Sequence, residues 1–151
     1  MMNRLLIRRM ESADIPNVQA IAQEYLGEEA WSQAGFQADV DNPLAIPLAA
    51  FRNAELVGFL CAQVVCDEGT LLLLAIRADC RKQGIAAALL AAMRDMGQTA
   101  SSFALEVRAS NLPAISFYEK QGFLLMGRRK NFYSHPAEDA LIYVLNTGKE
   151  G

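Results

Sequence analysis

Apolar and polar positions recur along this chain in two rhythms, and the switches between them divide it into strands and helices. Leu5–Arg8 predicts a short strand. Ser12–Asp14 followed by Pro16 marks a helix start, and Ile15, Val18, Ile21, Ala22 and Tyr25 then recur at helical spacing until Gly27. Trp31–Val40 predicts a second short helix, and Asn42–Pro43 with Pro47 a loop. Leu48–Phe51 and Leu56–Cys66 predict strands around the polar turn Arg52–Glu55. Asp67–Gly69 turns the chain into Thr70–Ile76, apolar at almost every position, which predicts a strand buried on both faces.

Gly84–Met96 has little polar face, so the helix it predicts packs hard against a sheet; Gly97 closes it. In Ser102–Arg108 the side chains alternate, with Phe103, Leu105 and Val107 on one face and Ala104, Glu106 and Arg108 on the other. Leu112–Gln121 predicts a helix with Pro113 in its first turn and Gly122 just past its end. Phe123–Phe132 and Ala140–Leu145 are the last strands. Strands and helices mixed in this way predict an α/β or α+β fold, a sheet with helices on its faces.

Residues 1–151 read as one domain, because no repeat or low-complexity linker divides them and the length suits a single core. Net charge is -3, from 14 basic and 17 acidic residues, which argues against a nucleic-acid binder with a broad basic face. The longest strictly apolar run, Ile85–Met93, is too short for a membrane span of about 20 residues, and Leu5–Ile7 is too short for a signal-peptide core. Cys61, Cys66 and Cys80 form no CxxC, and read as reduced thiols of a cytoplasmic protein. One His and no Cys/His cluster point away from a zinc site.

The most informative stretch runs from the apolar strand through Arg77-Ala-Asp-Cys-Arg81-Lys82-Gln83-Gly84-Ile85-Ala86 into a helix. The first turn of a helix offers unpaired N–H groups and a positive dipole end, and Gly84 and Ala86 leave room for an anion to approach. Arg77, Arg81 and Lys82 add three cations, so the segment suits a pyrophosphate. An ordinary Gly-capped basic turn would look the same, and the pattern alone leaves both readings open. Neither GxxxxGK[ST] nor GxGxxG after a strand occurs.

Arg81-Lys82-Gln83-Gly84-Ile85-Ala86 resembles the R/Q-x-x-G-x-G/A signature of the GNAT superfamily of N-acetyltransferases. Further blocks resemble its bacterial ribosomal-protein alanine N-acetyltransferases, the RimI type. They are Leu105-Glu106-Val107-Arg108-Ala109-Ser110-Asn111, then Ala114-Ile115-x-x-Tyr118-Glu119-x-x-Gly122-Phe123, then Asn131-Phe132-Tyr133 with Glu138-Asp139-Ala140. Trp31-Ser32 followed by Phe36 resembles the type's early helical loop. The resemblance implies a mixed, mostly antiparallel central sheet of six to seven strands with helices on both faces. It implies acetyl-CoA as donor, with no metal, and the N-terminus of an acceptor protein, here the N-terminal alanine of a ribosomal protein, as partner. Neither nucleic acid nor membrane is expected as a partner.

Amine acetylation by a thioester needs a route for the amine proton, a polarised carbonyl, a protonated leaving thiolate and two substrates held in line. The resemblance implies Glu106 as general base through water and Tyr118 as the acid. On residue type alone, Glu106 is also an ordinary surface strand residue and Tyr118 an ordinary packed aromatic. The resemblance implies that Arg81, Lys82, Gln83, Gly84, Ile85, Ala86 and Ala87 hold the pyrophosphate. It implies that backbone groups of Leu74, Ala75 and Ile76 pair with the pantetheine arm and polarise the thioester, and that Asn111 contacts the coenzyme while capping a helix. Trp31, Phe132 and Tyr133 are candidate acceptor walls, or packed loop anchors. The chain departs from the pattern at Phe132, where the type usually has Tyr, and at Ala87, where relatives often carry Arg or Lys that Arg77 would replace. The stretch before Leu105 and the loop Ser134–Ala137 are shortened, and His135 is given no role. Acetylation of a small amine, or acyl-CoA binding without turnover, are the alternatives to a protein acceptor.

Overall fold

The strand-forming runs assemble into one seven-stranded sheet. In chain order they are β1 (Leu5–Arg9), β2 (Ala45–Arg52), β3 (Glu55–Val65), β4 (Glu68–Ile76), β5 (Ser102–Arg108), β6 (Leu124–Ser134) and β7 (Ala137–Asn146). Across the sheet they lie β1-β2-β3-β4-β5-β7-β6, antiparallel except for the parallel pair β4–β5. The helices are α1 (Ile15–Leu26), α2 (Gln33–Asp41), α3 (Ile85–Met96) and α4 (Leu112–Lys120). This computed structural model describes residues 4–27, 30–134 and 136–148; His135 lies outside the described residues. No helix among them is long and apolar enough to cross a membrane.

The helices cover both faces of the sheet. On one face Ile85, Leu89, Leu90 and Met93 of α3 pack with Leu48, Leu60, Leu105 and Val107, and Ile115, Phe117 and Tyr118 of α4 join them. On the other, Ile15, Val18, Ile21 and Ala22 of α1 and Phe36 of α2 pack on Ala49, Phe59, Cys61 and Ala75. Tyr25, at the same helical spacing in α1, is 41% exposed instead, because it has passed the end of that core.

Two expectations from the sequence need correction. Pro47 lies inside β2, opposite Cys61, and not in a loop. Its carbonyl accepts from Met10 N–H at 2.8 Å, where the pairing of β1 has ended at Arg9–Leu48. In an extended residue N and C=O point the same way, so the missing N–H falls where no strand needs it. Thr70–Ile76 is not buried on both faces. That burial belongs to β2 and β3, covered by helices on either side, whereas Leu72 in β4 is exposed and Leu73 and Leu74 are half-buried.

Candidate active site

β4 and β5 pair only over Glu68–Thr70 with Ser102–Ala104. At that junction Gly69 faces Phe103, whose ring would lie 2.3 Å from a Cβ on Gly69. Beyond it the strands part. Leu72 is an extra residue in β4, set between the pairs Ala62–Leu71 and Cys61–Leu73 of the β3–β4 ladder. Such a bulge bends its strand. From Leu71 to Ile76 the β5-facing edge of β4 therefore has no strand partner, and its backbone N–H and C=O groups face a groove of about 880 Å³.

That groove brings together Glu106, Tyr118, Asn111, Leu74 and Tyr133 of the predicted site, with Tyr25, Leu72 and Leu73, which sequence reasoning had not singled out. Glu106 projects from the face of β5 opposite the buried Leu105 and Val107. Its Oε2 lies 3.6 Å from Nε of Arg129 on β6, whose guanidinium also lies over the Phe132 ring. Tyr118 comes from α4 and packs edge-on against Phe117 and Phe123 at ring-centroid distances of 5.4 and 5.5 Å. Burial, and secondarily Tyr25, push its pKa up, so the phenol keeps its proton at and well above neutral pH. Asn111 caps α4, its Oδ1 accepting from Ala114 N–H at 3.3 Å, and lines the groove as well. Ala75 and Ile76 are buried, so only their backbone is available.

The loop before α3 adjoins the groove at Tyr25. Gly84 is the residue before the helix, in the left-handed region at φ +80°, and no side chain caps the first turn. The first intrahelical bond is Ala88 N–H to Gly84 O, which leaves the N–H groups of Ile85, Ala86 and Ala87 to an anion. Arg81 Nε donates to Ile76 O at 3.3 Å, and its guanidinium lies 5.1 Å from the Tyr25 ring centre. Gln83 turns its side chain away to accept from Arg52. The three-cation cluster is reduced: Arg77 donates to both Asp79 oxygens (2.7 and 3.1 Å) and to Glu55 (3.2 Å), so it does not substitute for the residue missing at Ala87. Arg81 and Lys82 have no carboxylate partner among the described residues.

The β6–β7 hairpin contributes Tyr133, Ser134 and Pro136 to the groove wall. Lys130–Phe132 of β6 stand opposite Asp139 alone, and Asn131, at φ +52°, donates its N–H to Asp139 Oδ1 at 2.9 Å. Tyr133 then lines the groove, with the Arg108 guanidinium 4.1 Å above its ring. Arg108 also donates to Glu138, which accepts from Ser110 N–H at 2.6 Å. Two candidate walls stand elsewhere. Phe132 is 47% exposed beside Arg129, outside the groove lining. Trp31 packs on Phe36 at 5.4 Å and lines a neighbouring cavity that shares only Leu72 with the groove.

The model of the acetyltransferase (GNAT) family matches residues 9–123. The ribosomal protein bS18-alanine N-acetyltransferase of Escherichia coli is 33% identical over 143 residues, covering 92% of this chain and 95% of that protein. The crystal structure of the Escherichia coli ribosomal-protein-S18-alanine N-acetyltransferase superimposes with a TM-score of 0.87 at 32% identity, over 98% of this chain and 97% of that one. Ard1 from Thermoplasma volcanium gives a TM-score of 0.88 at 28% identity, covering 96% of this chain and 99% of that one.

Proposed function

The chain belongs to the acetyltransferase (GNAT) family of acetyl-CoA-dependent enzymes, and from that membership we propose that it acetylates the N-terminal α-amino group of a protein, the N-terminal alanine of a small-subunit ribosomal protein. The observation that carries this reading is one groove lined by a carboxylate, a protonated phenol and an unpaired strand edge. Residues 1–151 act as a single catalytic domain in the cytosol, where Cys61, Cys66 and Cys80 stay free thiols.

Acetyl-CoA supplies the acetyl thioester. The unpaired N–H groups of Ile85, Ala86 and Ala87, with Arg81 and Lys82, hold its pyrophosphate. The open edge of β4 at Leu74–Ile76 pairs with the pantetheine arm, and one of its N–H groups donates to the thioester oxygen as negative charge develops there. Glu106 takes the amine proton through water, which leaves a lone pair for attack on the carbonyl carbon. As the carbon–sulfur bond breaks, Tyr118 O–H gives its proton to the thiolate. The acetyl group passes directly from sulfur to nitrogen, and the proton transfers and hydrogen bonds that assist it come from the protein and water. Asn111 fixes the start of α4 and so the position of Tyr118, and Tyr133 forms the acceptor side.

The reading is tested by acetyl-CoA turnover against a panel of peptides with free N-termini, lysine-bearing peptides and small amines, followed by mass spectrometry. Acetylation of the α-amine of alanine-initiated peptides is expected. Modification of lysine side chains or small amines alone overturns it.

A further inference from the structure

Tyr25 has the spacing of a core residue of α1, yet it lies past the end of that core and stands in the groove wall with Leu26 and, from the other side, Tyr118 of α4. A ring left half in solvent gains little from burial, so its place calls for another reason. What its face meets is a cation. The Arg81 guanidinium lies over the ring, 5.1 Å from its centre, within the range of a cation–π contact. The contact joins α1, on one face of the sheet, to the loop before α3, on the other.

The three cations of the loop are held in three different ways. Arg77 is placed by carboxylates, those of Asp79 and Glu55, which neutralise it. Lys82 has no hydrogen bond, ion pair or ring contact among the described residues, so an anion that engages it must first order a long side chain. Arg81 alone is both placed and left charged. Its Nε donates to the carbonyl of Ile76, the last residue of β4, at 3.3 Å, and the Tyr25 ring holds the guanidinium; neither partner carries a negative charge. Its two terminal nitrogens have no hydrogen-bond partner among the described residues, which leaves donors for a phosphate. A cation ordered before its ligand arrives binds more tightly, because the rotamer entropy is already lost.

We infer that Tyr25 is a positioning residue for the coenzyme: its ring holds the Arg81 guanidinium, still fully charged, in place for the pyrophosphate. The inference rests on the pyrophosphate loop proposed above and adds to it a residue from α1. The ring does the holding, and the hydroxyl is dispensable for it.

The test titrates coenzyme A calorimetrically into the wild type, Tyr25→Leu, Tyr25→Phe, Arg81→Ala and the double variant Tyr25→Leu/Arg81→Ala, with a thermal melt to verify each fold. Tyr25→Leu is expected to raise Kd about fivefold, in keeping with one cation–π contact and the order it imposes. Tyr25→Phe keeps the ring and holds Kd within about twofold of the wild type. Arg81→Ala raises Kd about tenfold, the effect of one charge-assisted contact, and adding Tyr25→Leu to it changes nothing further, because Tyr25 acts through Arg81. Tyr25→Gln, suited to an exposed helix position, takes the place of Tyr25→Leu if that variant does not fold. An unchanged Kd in the folded ring-less variant, or an equal loss in Tyr25→Phe, overturns the inference. A fivefold loss that persists in the Arg81→Ala background also overturns it, since Tyr25 then acts on the coenzyme without Arg81. Arg81→Ala that binds coenzyme A as the wild type does removes the proposed role of Arg81 at the pyrophosphate, and this inference with it. A loss in Arg81→Ala with none in Tyr25→Leu removes the inference alone and leaves the proposed loop standing.

Discussion

Glu106 and Tyr118, the proposed base and acid, stand in unlike surroundings. Glu106 is exposed to the groove beside Arg129, whereas Tyr118 is held among Phe117, Phe123 and the core under α4. Glu106→Gln keeps the shape and removes the base, so kcat falls about 100-fold while acetyl-CoA affinity, measured by thermal shift, stays near the wild-type value. Tyr118→Phe removes one hydroxyl from a packed ring, and kcat falls about 10- to 100-fold with acetyl-CoA affinity again retained. The raised pKa of Tyr118 carries a second consequence. Above the ordinary phenol pKa of about 10 the unfolded chain releases a proton that the folded chain keeps, so stability contributed by this group is present below that pH and declines above it. Tyr143, buried and donating to Glu119 at 2.9 Å, shifts the same way. Urea melts of Tyr118→Phe between pH 8 and about 11 therefore show a shallower alkaline loss than the wild type.

At the scale of elements, the site exists because two parallel strands stay together at one end and part at the other. Gly69 sets where they stay together, since the Phe103 ring occupies the space of its absent Cβ. Gly69→Ala forces the ring or the strand to shift and destabilises the protein by about 1–3 kcal/mol, read from denaturant melts. The loop before α3 contributes in another way. Its N–H groups stay unpaired because Gly84, in the left-handed region, brings no side chain to cap the turn. The spacing of Gly84, Ile85 and Ala86 marks a turn into a helix, and its reading as a phosphate loop comes from the family resemblance. The commitment of Arg77 to Asp79 and Glu55 is legible from neither, because it depends on β3 lying beside the loop, and Glu55 is distant in sequence.

For the whole molecule, ligand and fold are linked. The groove lies between the two halves of the sheet, β1–β4 and β5–β7, and acetyl-CoA held as proposed engages β4, the start of α3 and α4 together. At 100 times its Kd, acetyl-CoA stabilises the fold by about 2.7 kcal/mol, a rise in Tm of roughly 5–10 °C for a chain of this size. Arg81→Ala, which removes a cation from the loop and its contacts with Ile76 and Tyr25, shrinks that rise in a differential scanning experiment.

Local patterns in the sequence determined the elements themselves. The alternation of Ser102–Arg108 put Glu106 on the face opposite the core, the scarcity of polar positions in α3 marked it as a helix packed on the sheet, and Gly27, Gly97 and Gly122 marked helix ends, all because neighbouring residues alone set these features. Family resemblance added the proposed base, acid and phosphate loop. Only the tertiary structure decided that β4 opens at Leu72–Leu74, that Arg129 stands beside Glu106, that Pro47 belongs to a strand and that Trp31 and Phe132 leave the groove to Tyr133. Each of these depends on a register, a bulge or a strand end set by a partner far away in sequence. An apolar run such as Thr70–Ile76 reads the same whether its neighbour stays beside it or turns away.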